Sequence, residues 1–343
     1  MKRISYIAIF LLCSLALFWG CSKSEQSVAL QSIGFNVNDL LQTKAAITSA
    51  NQIKSLGLFG YSTGADDFGL FLSPMVNIFY NRLATPPAIP ANMWSYTPLA
   101  YWPIDAAVKN TFFAYSPWMD GVANTELLTG YPTITYSVSQ NVEDQIDLLY
   151  ATPVFNLLRP ADGKVGYTMK HALSWIKFYV APEVMTSPNE KYAVTSLNMT
   201  THYLITSATL NLGTGSWTPL TAMGTIYDLE VGGRLSPINA GNVVSATNDC
   251  LMLIPQSITK DGNMPMIHIS FEFYDGTQWD EGGAFSFSIP FPDVVLAAGK
   301  VAVCVLQIST DGVPIVFWYA TDNTIEEWLE DHTLDNSLVF EVY

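Results

Sequence analysis

The sequence predicts a mainly β protein, with Greek-key sandwiches favoured over closed barrels. Short runs alternate apolar and polar residues at a period of two, and Gly, Pro, Asn and Asp interrupt them, as in half-buried strands joined by turns. β-Branched and aromatic residues fill these runs, which suits a pleated surface. Helix signals are few: two short segments begin with helix-capping residues, Ser49 and Asn323.

The chain begins with the features of an export signal, which we assign to residues 1–20. Basic residues precede an apolar core, residues 7–19, that is short for a membrane span. The glycine and Cys21 that follow resemble the lipobox of bacterial lipoproteins, which predicts that Cys21 carries acyl chains such as palmitate and that residues 21–27 are a tether. An ordinary secretory signal followed by an unrelated cysteine is the alternative.

The first strand pattern lies within residues 28–38, where Ile33, Phe35 and Val37 fall on one face. Burial of three such side chains would contribute about 1.5–3 kcal/mol each before the cost of ordering them. Later strand patterns occupy residues 165–180, 202–213, 267–276, 284–291 and 301–309.

The chain length predicts more than one core. Its 343 residues suggest two domains, since a domain usually holds about 100–200 residues. A polar, turn-prone segment at residues 159–164 marks the predicted boundary. We therefore assign residues 28–160 to an N-terminal β-sandwich domain and residues 161–343 to a C-terminal one.

The net charge limits the partners of this chain. It is −15 at pH 7, and loss of Lys2 and Arg3 with the leader would make it more negative by two. Nucleic acids and anionic lipid surfaces bind basic patches, so the charge argues against both as partners.

The cysteines predict no disulfide framework. If Cys13 leaves with the signal and Cys21 is acylated, Cys250 and Cys304 remain. A single disulfide between these two cysteines can form in an exported protein. A buried free thiol is an equally good interpretation, because Cys304 lies in an apolar run.

The sequence offers little catalytic or metal-binding chemistry. The four histidines lie far apart, at His171, His202, His268 and His332. Strand histidines with backbone partners are the favoured interpretation. Glu143, Asp144 and Asp147 would suit an acid/base pair or a cation site, but acidic loop positions with one hydrogen-bonding aspartate are simpler. With no nucleophile, base and orienting group in one motif, we predict no enzyme, no cofactor and no metal.

Aromatic side chains concentrate in residues 93–121. The first of them are Trp94, Tyr96, Tyr101 and Trp102. Coplanar, exposed rings of this kind can stack on a carbohydrate. Packing around Pro98 and Pro103 in a sandwich core is the interpretation that we favour.

Several blocks in order make the chain recognisable. "WSYTPLAYWP" is followed by "FFAYSP", "DQIDLLYA", "HALSWIKFYV" and "LMLIPQ". Their order and spacing, over residues 32–315, resemble the fimbrillin family, the type V pilins and their lipoprotein relatives. The resemblance implies two tandem transthyretin-like Greek-key β-sandwich domains and a structural or adhesive pilus component at the outer membrane surface, within a fimbrium.

The resemblance also implies assembly by donor-strand exchange after proteolysis. Residues 43–61 resemble the family segment in which a protease cuts after a basic residue, and Lys44 holds that position. Removal of the strand with Ile33, Phe35 and Val37 would leave an edge and an apolar slot that accept another strand.

The implied partners are other pilin subunits, the outer membrane through the lipid anchor, and a host or bacterial surface receptor. The candidate donor strand is the C-terminal segment with Leu338, Phe340 and Val342 on one face. The same segment is equally well interpreted as the last strand of its own sandwich. A surface glycan-binding lipoprotein is the competing function, which solvent exposure of the aromatic residues would favour.

Overall fold

The fold is known from a computed structural model. It describes residues 30–40, 52–69, 76–87, 93–123, 130–180, 191–229, 244–245, 251–258, 265–274, 277–278, 285–291, 293–308 and 314–320. Within these ranges the chain forms strands and a 3₁₀ turn at Val142–Asp144, without an α-helix. The mainly β class is confirmed, and the division into transthyretin-like Greek-key domains stays a prediction.

The strands of the first half are β1 (Gly34–Leu40), β2 (Leu56–Gly64), β3 (Val76–Thr85), β4 (Ser95–Tyr96), β5 (Lys109–Ser116), β6 (Thr133–Ser137), β7 (Leu149–Ala151), β8 (Val154–Leu157), β9 (Lys164–His171) and β10 (Ser174–Val180). Those of the second half are β11 (Lys191–Asn211), β12 (Trp217–Leu229), β13 (Val244–Ser245), β14 (Leu251–Leu253), β15 (Gln256–Ile258), β16 (Met266–Tyr274), β17 (Phe285–Pro290), β18 (Val294–Leu296), β19 (Val301–Ile308) and β20 (Pro314–Ala320).

The N-terminal sheet has the order β1-β9-β7-β5-β2-β3-β4, with β8 also paired to β5. A second sheet has the order β13-β10-β19-β20, with β14 beside β10, and a third has the order β12-β11-β16-β17, with β6 beside β11. β15 and β18 form a separate pair. β1 therefore lies at one end of its sheet, where it pairs in parallel with β9.

Strand pairing crosses the domain boundary predicted at residues 160 and 161. β9 follows that point but joins the N-terminal sheet between β1 and β7, whereas β6 precedes it and pairs with β11. A boundary after His171 would keep β9 with its own sheet, but the pairing of β6 with β11 would still cross it. There residues 172–173 separate β9 from β10, so the apolar run at 165–180 is two strands in different sheets.

The other strand predictions have clear outcomes. β16, β17 and β19 match the predicted strands, and the pattern at 202–213 covers the second half of the longer β11. The helix signal after Ser49 leads into β2, which begins at Leu56. Ser49 itself and the segment after Asn323 lie outside the described residues.

The described residues form three apolar cores. β5 contributes to two of them, because Phe112 and Ala114 face one side of the N-terminal sheet and Phe113 and Tyr115 the other. The first side is the β1 core, which holds Ile33 and Phe35. The other side is the central core, to which β6, β10, β11, β14 and β19 also contribute. A third core lies among the later strands around Ile176, Phe178 and Ile267.

Candidate functional site

Phe35 is the centre of an aromatic pocket in the β1 core. Its side chain is fully buried. Four rings surround it at centroid distances of 5.4 Å for Phe79, 5.6 Å for Tyr96, 6.0 Å for Phe112 and 5.8 Å for Tyr167. Tyr167 stacks on Phe35 and the other three meet it edge to face, which adds to the stabilisation from burial alone.

The side chains of Ile33 and Val37 extend the apolar face of β1. Ile33 is fully buried, and Val37 is partly buried against the same core. The register with β9 sets Phe35 beside Val165 and Val37 beside Tyr167, and both β9 residues are buried. The sequence correctly predicts that Ile33, just before β1, shares an inward face with Phe35 and Val37, since alternate residues of an extended chain point the same way.

Glycines allow β1 to lie close to its neighbours. A Cβ added at Gly166, on β9, would be 2.1 Å from Nδ2 of Asn38. One added at Gly34 would be 2.8 Å from Sδ of Met93. A side chain larger than hydrogen would therefore have to displace the Asn38 side chain at Gly166 or the Met93 side chain at Gly34.

The edge of β1 opposite β9 is also occupied. Residues 93–101, which we call the clasp, run along it. The Ile33 N–H donates to the Ala100 carbonyl at 3.0 Å, and the Trp94 N–H donates to the Phe35 carbonyl at 3.2 Å. Ser32 forms an antiparallel bridge with Tyr101. β1 is thus bonded along both edges although it ends its sheet.

Tyr96 contributes the side chain that joins the clasp to β1. Its hydroxyl donates to the Ile33 carbonyl at 2.7 Å and lies 3.3 Å from the Ala100 carbonyl. Burial raises the pKa of Tyr96, so the hydroxyl remains a donor at neutral pH. Nearby, the Trp102 indole N–H donates to the Gly163 carbonyl at 2.9 Å, and the Gly34 N–H donates to the same carbonyl at 2.8 Å.

The structure does not present the aromatic residues as a glycan platform. Trp94, Tyr96 and Trp102 are buried, with exposed fractions of 7%, 9% and 2%, whereas Tyr101 is 47% exposed. The three buried rings belong to the β1 core, as the core interpretation expects. Pro98 is itself exposed, and Phe35 of β1, rather than this proline, packs against the Tyr96 ring.

Two of the flagged polar residues form a buried pair. Nδ1 of His171 lies 3.0 Å from Oδ1 and 2.9 Å from Oδ2 of Asp147, and both side chains are almost completely buried. The structure therefore shows a carboxylate partner at Nδ1 of this histidine, and the backbone partner stays a prediction. The expected acidic loop is correct for Glu143 and Asp144, which are exposed, but Asp147 is buried.

The other flagged residues are structural or undescribed. His268 contacts Thr200 Oγ1 at 2.8 Å and Ser288 Oγ at 2.7 Å, so its partners are side chains of adjacent strands. Cys304 is a free, buried thiol whose pKa burial raises well above its usual range. The remaining predicted positions lie outside the residues whose side chains are described: Cys21, Lys44, His202, Cys250, His332, Leu338, Phe340 and Val342.

Two further kinds of site are missing from the described part of the chain. No three His, Cys, Asp or Glu side chains among its residues are grouped to hold a metal ion. Nor does a helix within it have the length and apolar character needed to cross a bilayer. The geometry that stands out is the strand in its aromatic pocket, with backbone partners on both edges.

Sequence comparison identifies the family. A family model described as fimbrillin-like matches residues 43–328. This chain belongs to the fimbrillin-like family. It is thus a member of a structural family and not of an enzyme family.

Relatives of this fimbrillin-like chain have related names. It is 30% identical over 203 residues to the fimbrium subunit Fim1C of Phocaeicola vulgatus, an alignment that covers 52% of each chain. The chain therefore matches about half the length of this curated relative.

Solved structures share the fold. A fimbrial protein from Bacteroides vulgatus ATCC 8482 is similar at a TM-score of 0.69 and 22% identity, over 85% of this chain and 99% of that one. A proposed cell adhesion protein from Bacteroides uniformis ATCC 8492 is similar at a TM-score of 0.51 and 20% identity, over 86% and 98% of the two chains.

Proposed function

We propose that this fimbrillin-like chain is a cell-surface fimbrial subunit that assembles by exchange of β1 for a strand of a neighbouring subunit. The observation that carries the proposal is the position of β1. It is the first described strand, it ends its sheet, and its Phe35 side chain fills a pocket of four aromatic rings. The family and the name of the related fimbrium subunit support the same role.

Proteolysis at Lys44 would make the exchange possible. Lys44 lies between the end of β1 at Leu40 and the start of β2 at Leu56, so a cut there leaves β1 bound without a covalent link to the sheet. Departure of β1 would then expose the pocket and the backbone groups of β9. A strand from another subunit would restore both the apolar contacts and the hydrogen bonds.

Limited trypsin digestion tests this proposal on residues 22–343, the chain without its predicted leader. We expect an early cut after Lys44, recorded by intact mass, followed by loss of the β1 fragment and growth of oligomers on size exclusion. Lys44→Gln is the matched control, with exposed Lys54 replaced by glutamine in both proteins because it lies in the same connection, and it should prevent both changes. Resistance of Lys44 in the unaltered chain, or a cut chain that stays a stable monomer after the fragment leaves, would contradict the proposal.

The C-terminal segment is the proposed donor strand. A triple replacement by serine at Leu338, Phe340 and Val342 should abolish oligomers of the cut protein, because apolar side chains no longer fill the vacant pocket. Val339→Ser, on the opposite face of the same strand pattern, is the control and should leave assembly intact. Equal assembly by both variants would rule out this face as the one inserted.

Cys21 is the proposed lipid attachment point at the outer membrane. Two or more acyl chains would anchor a protein firmly, at about 0.8 kcal/mol per buried methylene. Cys21→Ser should therefore move the protein from the membrane fraction to the medium and abolish incorporation of a labelled palmitate analogue. Retention of the label in Cys21→Ser would place the acylation elsewhere.

A further inference from the structure

Backbone groups of β1 form hydrogen bonds along both of its edges. What we infer from these bonds rests on the proposed exchange of that strand. Successive residues of a strand direct their N–H and C=O groups to opposite edges. The odd-numbered Ile33 and Phe35 bond the clasp through Ala100, Trp94 and Tyr96. The even-numbered Gly34 directs its N–H to the Gly163 carbonyl, on the side of β9. β1 is held as a central strand is held, and not as a free edge strand.

We propose that the clasp is the second wall of the strand-binding site, and that Tyr96 is the positioning residue that binds the carbonyl of whichever strand occupies it. The ligand is an extended strand of a second copy of this chain. Three clasp groups contact main-chain atoms: the Trp94 N–H, the Ala100 carbonyl and the Tyr96 hydroxyl. They recognise any strand of the correct register, whereas the pocket around Phe35 selects its side chain.

This arrangement has a consequence for exchange. A strand cannot simply be added beside β1, because the clasp already occupies that edge. The clasp must open for β1 to leave, and it closes again on the incoming strand. Loss of one clasp bond should therefore speed the release of the old strand and weaken the binding of the new one.

Hydrogen exchange in the uncut protein provides the first test. Tyr96→Phe removes the hydroxyl that bonds Ile33 while keeping the buried ring, and should raise the exchange of β1 amides roughly five- to tenfold, the effect of one lost hydrogen bond. Amides of β2 and β5 should change little. Tyr131→Phe, at a partly buried tyrosine beside the central core and outside the clasp, is the control. A uniform rise over the whole sheet, or no rise in β1, would overturn the role of Tyr96.

Peptide binding provides the second test. After cleavage at Lys44 and removal of the fragment, a labelled peptide of residues 32–40 should bind again, with an affinity about tenfold lower in Tyr96→Phe and unchanged in Tyr131→Phe. Equal affinity in all three proteins would overturn the clasp inference. If none of the three proteins binds the peptide, the proposed strand exchange fails. The hydrogen-exchange result in the uncut chain then decides the role of the clasp separately.

A disulfide lock tests the opening step. Ser32 and Tyr101 are directly opposed in an antiparallel bridge, so their Cα atoms suit a disulfide. The variant Ser32→Cys/Tyr101→Cys should hold β1 in the cut protein when oxidised and release it after reduction. Binding of the labelled peptide of residues 32–40 at the same rate in both states, with the bridge verified by mass, would show that the clasp does not have to open.

Discussion

The β1 core and the central core are both filled with aromatic residues, but they differ in what closes them. A single strand near the N-terminus carries Ile33 and Phe35 into the β1 core. The central core draws on strands from β2 to β19, so its residues come from all along the chain. Removal of one strand can therefore open the first core, whereas the second core depends on the whole fold.

The largest expected effect separates the two cores directly. Phe35→Ala and Phe113→Ala should each cost roughly 3–5 kcal/mol of unfolding free energy, since both delete a buried ring. Hydrogen exchange should then distinguish them. Phe35→Ala should raise the amide exchange of β1 more than that of β10, whereas Phe113→Ala should raise it in both strands. An identical pattern in the two variants would remove the distinction between the cores.

The next largest loss of stability is expected at the buried His171–Asp147 pair, which lies beside the central core. His171→Ala should cost about 3 kcal/mol or more in denaturant unfolding, because it leaves the Asp147 carboxylate buried without its partner. Replacement of both residues by leucine should recover part of that loss. Asp144→Ala, at an exposed carboxylate, should change stability by less than about 0.5 kcal/mol. A loss at Asp144 as large as that at His171 would contradict this account.

Alkaline pH should affect the central core through its tyrosines. Burial raises the pKa of Tyr115 and of Tyr136 to about 12 in each case, and the Asp147 charge adds to the rise at Tyr136. Their stabilising contribution is complete below pH 10 and is lost as the pH rises towards 12, because the unfolded chain ionises first. The unfolding temperature should fall as the pH rises across this interval. The double variant Tyr115→Phe/Tyr136→Phe should show a smaller fall. An equal fall in the unfolding temperature of the double variant would show that these two hydroxyls do not cause the loss.

The smallest effect concerns a hydroxyl in the β1 core. The Tyr167 hydroxyl is buried without a hydrogen-bond partner among the described residues, and burial raises its pKa well above the usual range. Tyr167→Phe should therefore leave stability unchanged or raise it slightly, by up to about 1 kcal/mol. Tyr136→Phe should instead lower it, because the Tyr136 hydroxyl donates to the Ile146 carbonyl. A clear loss in Tyr167→Phe on thermal unfolding would indicate an undescribed partner.

The sequence predicts strand β1, but it does not predict all the neighbours that bind this strand. Alternation alone predicts that Ile33, Phe35 and Val37 share a face, because side-chain direction depends on local backbone geometry. The parallel partner β9 lies far along the chain, and no local pattern specifies which strand pairs with β1. The clasp escapes detection for another reason, since most of its bonds involve backbone groups that every residue carries.

The same limit applies to the buried pair. His171 ends a strand and Asp147 precedes another, and each has apolar neighbours in the sequence. The sheet brings them together by pairing Leu149 with His171. Only the register of β7 on β9 determines this contact, and composition or spacing within either segment does not encode it.

The bonding of β1 along both edges has a mechanical consequence. In the proposed maturation, Cys21 and β1 belong to one fragment and the body of the protein to the other, so the cut converts a covalent tether into a non-covalent one. Tension along the strand axis then loads the bonds to β9 and to the clasp in shear, all at once rather than one after another. The grip on β1 thus determines the force at which a cut subunit would leave the cell surface.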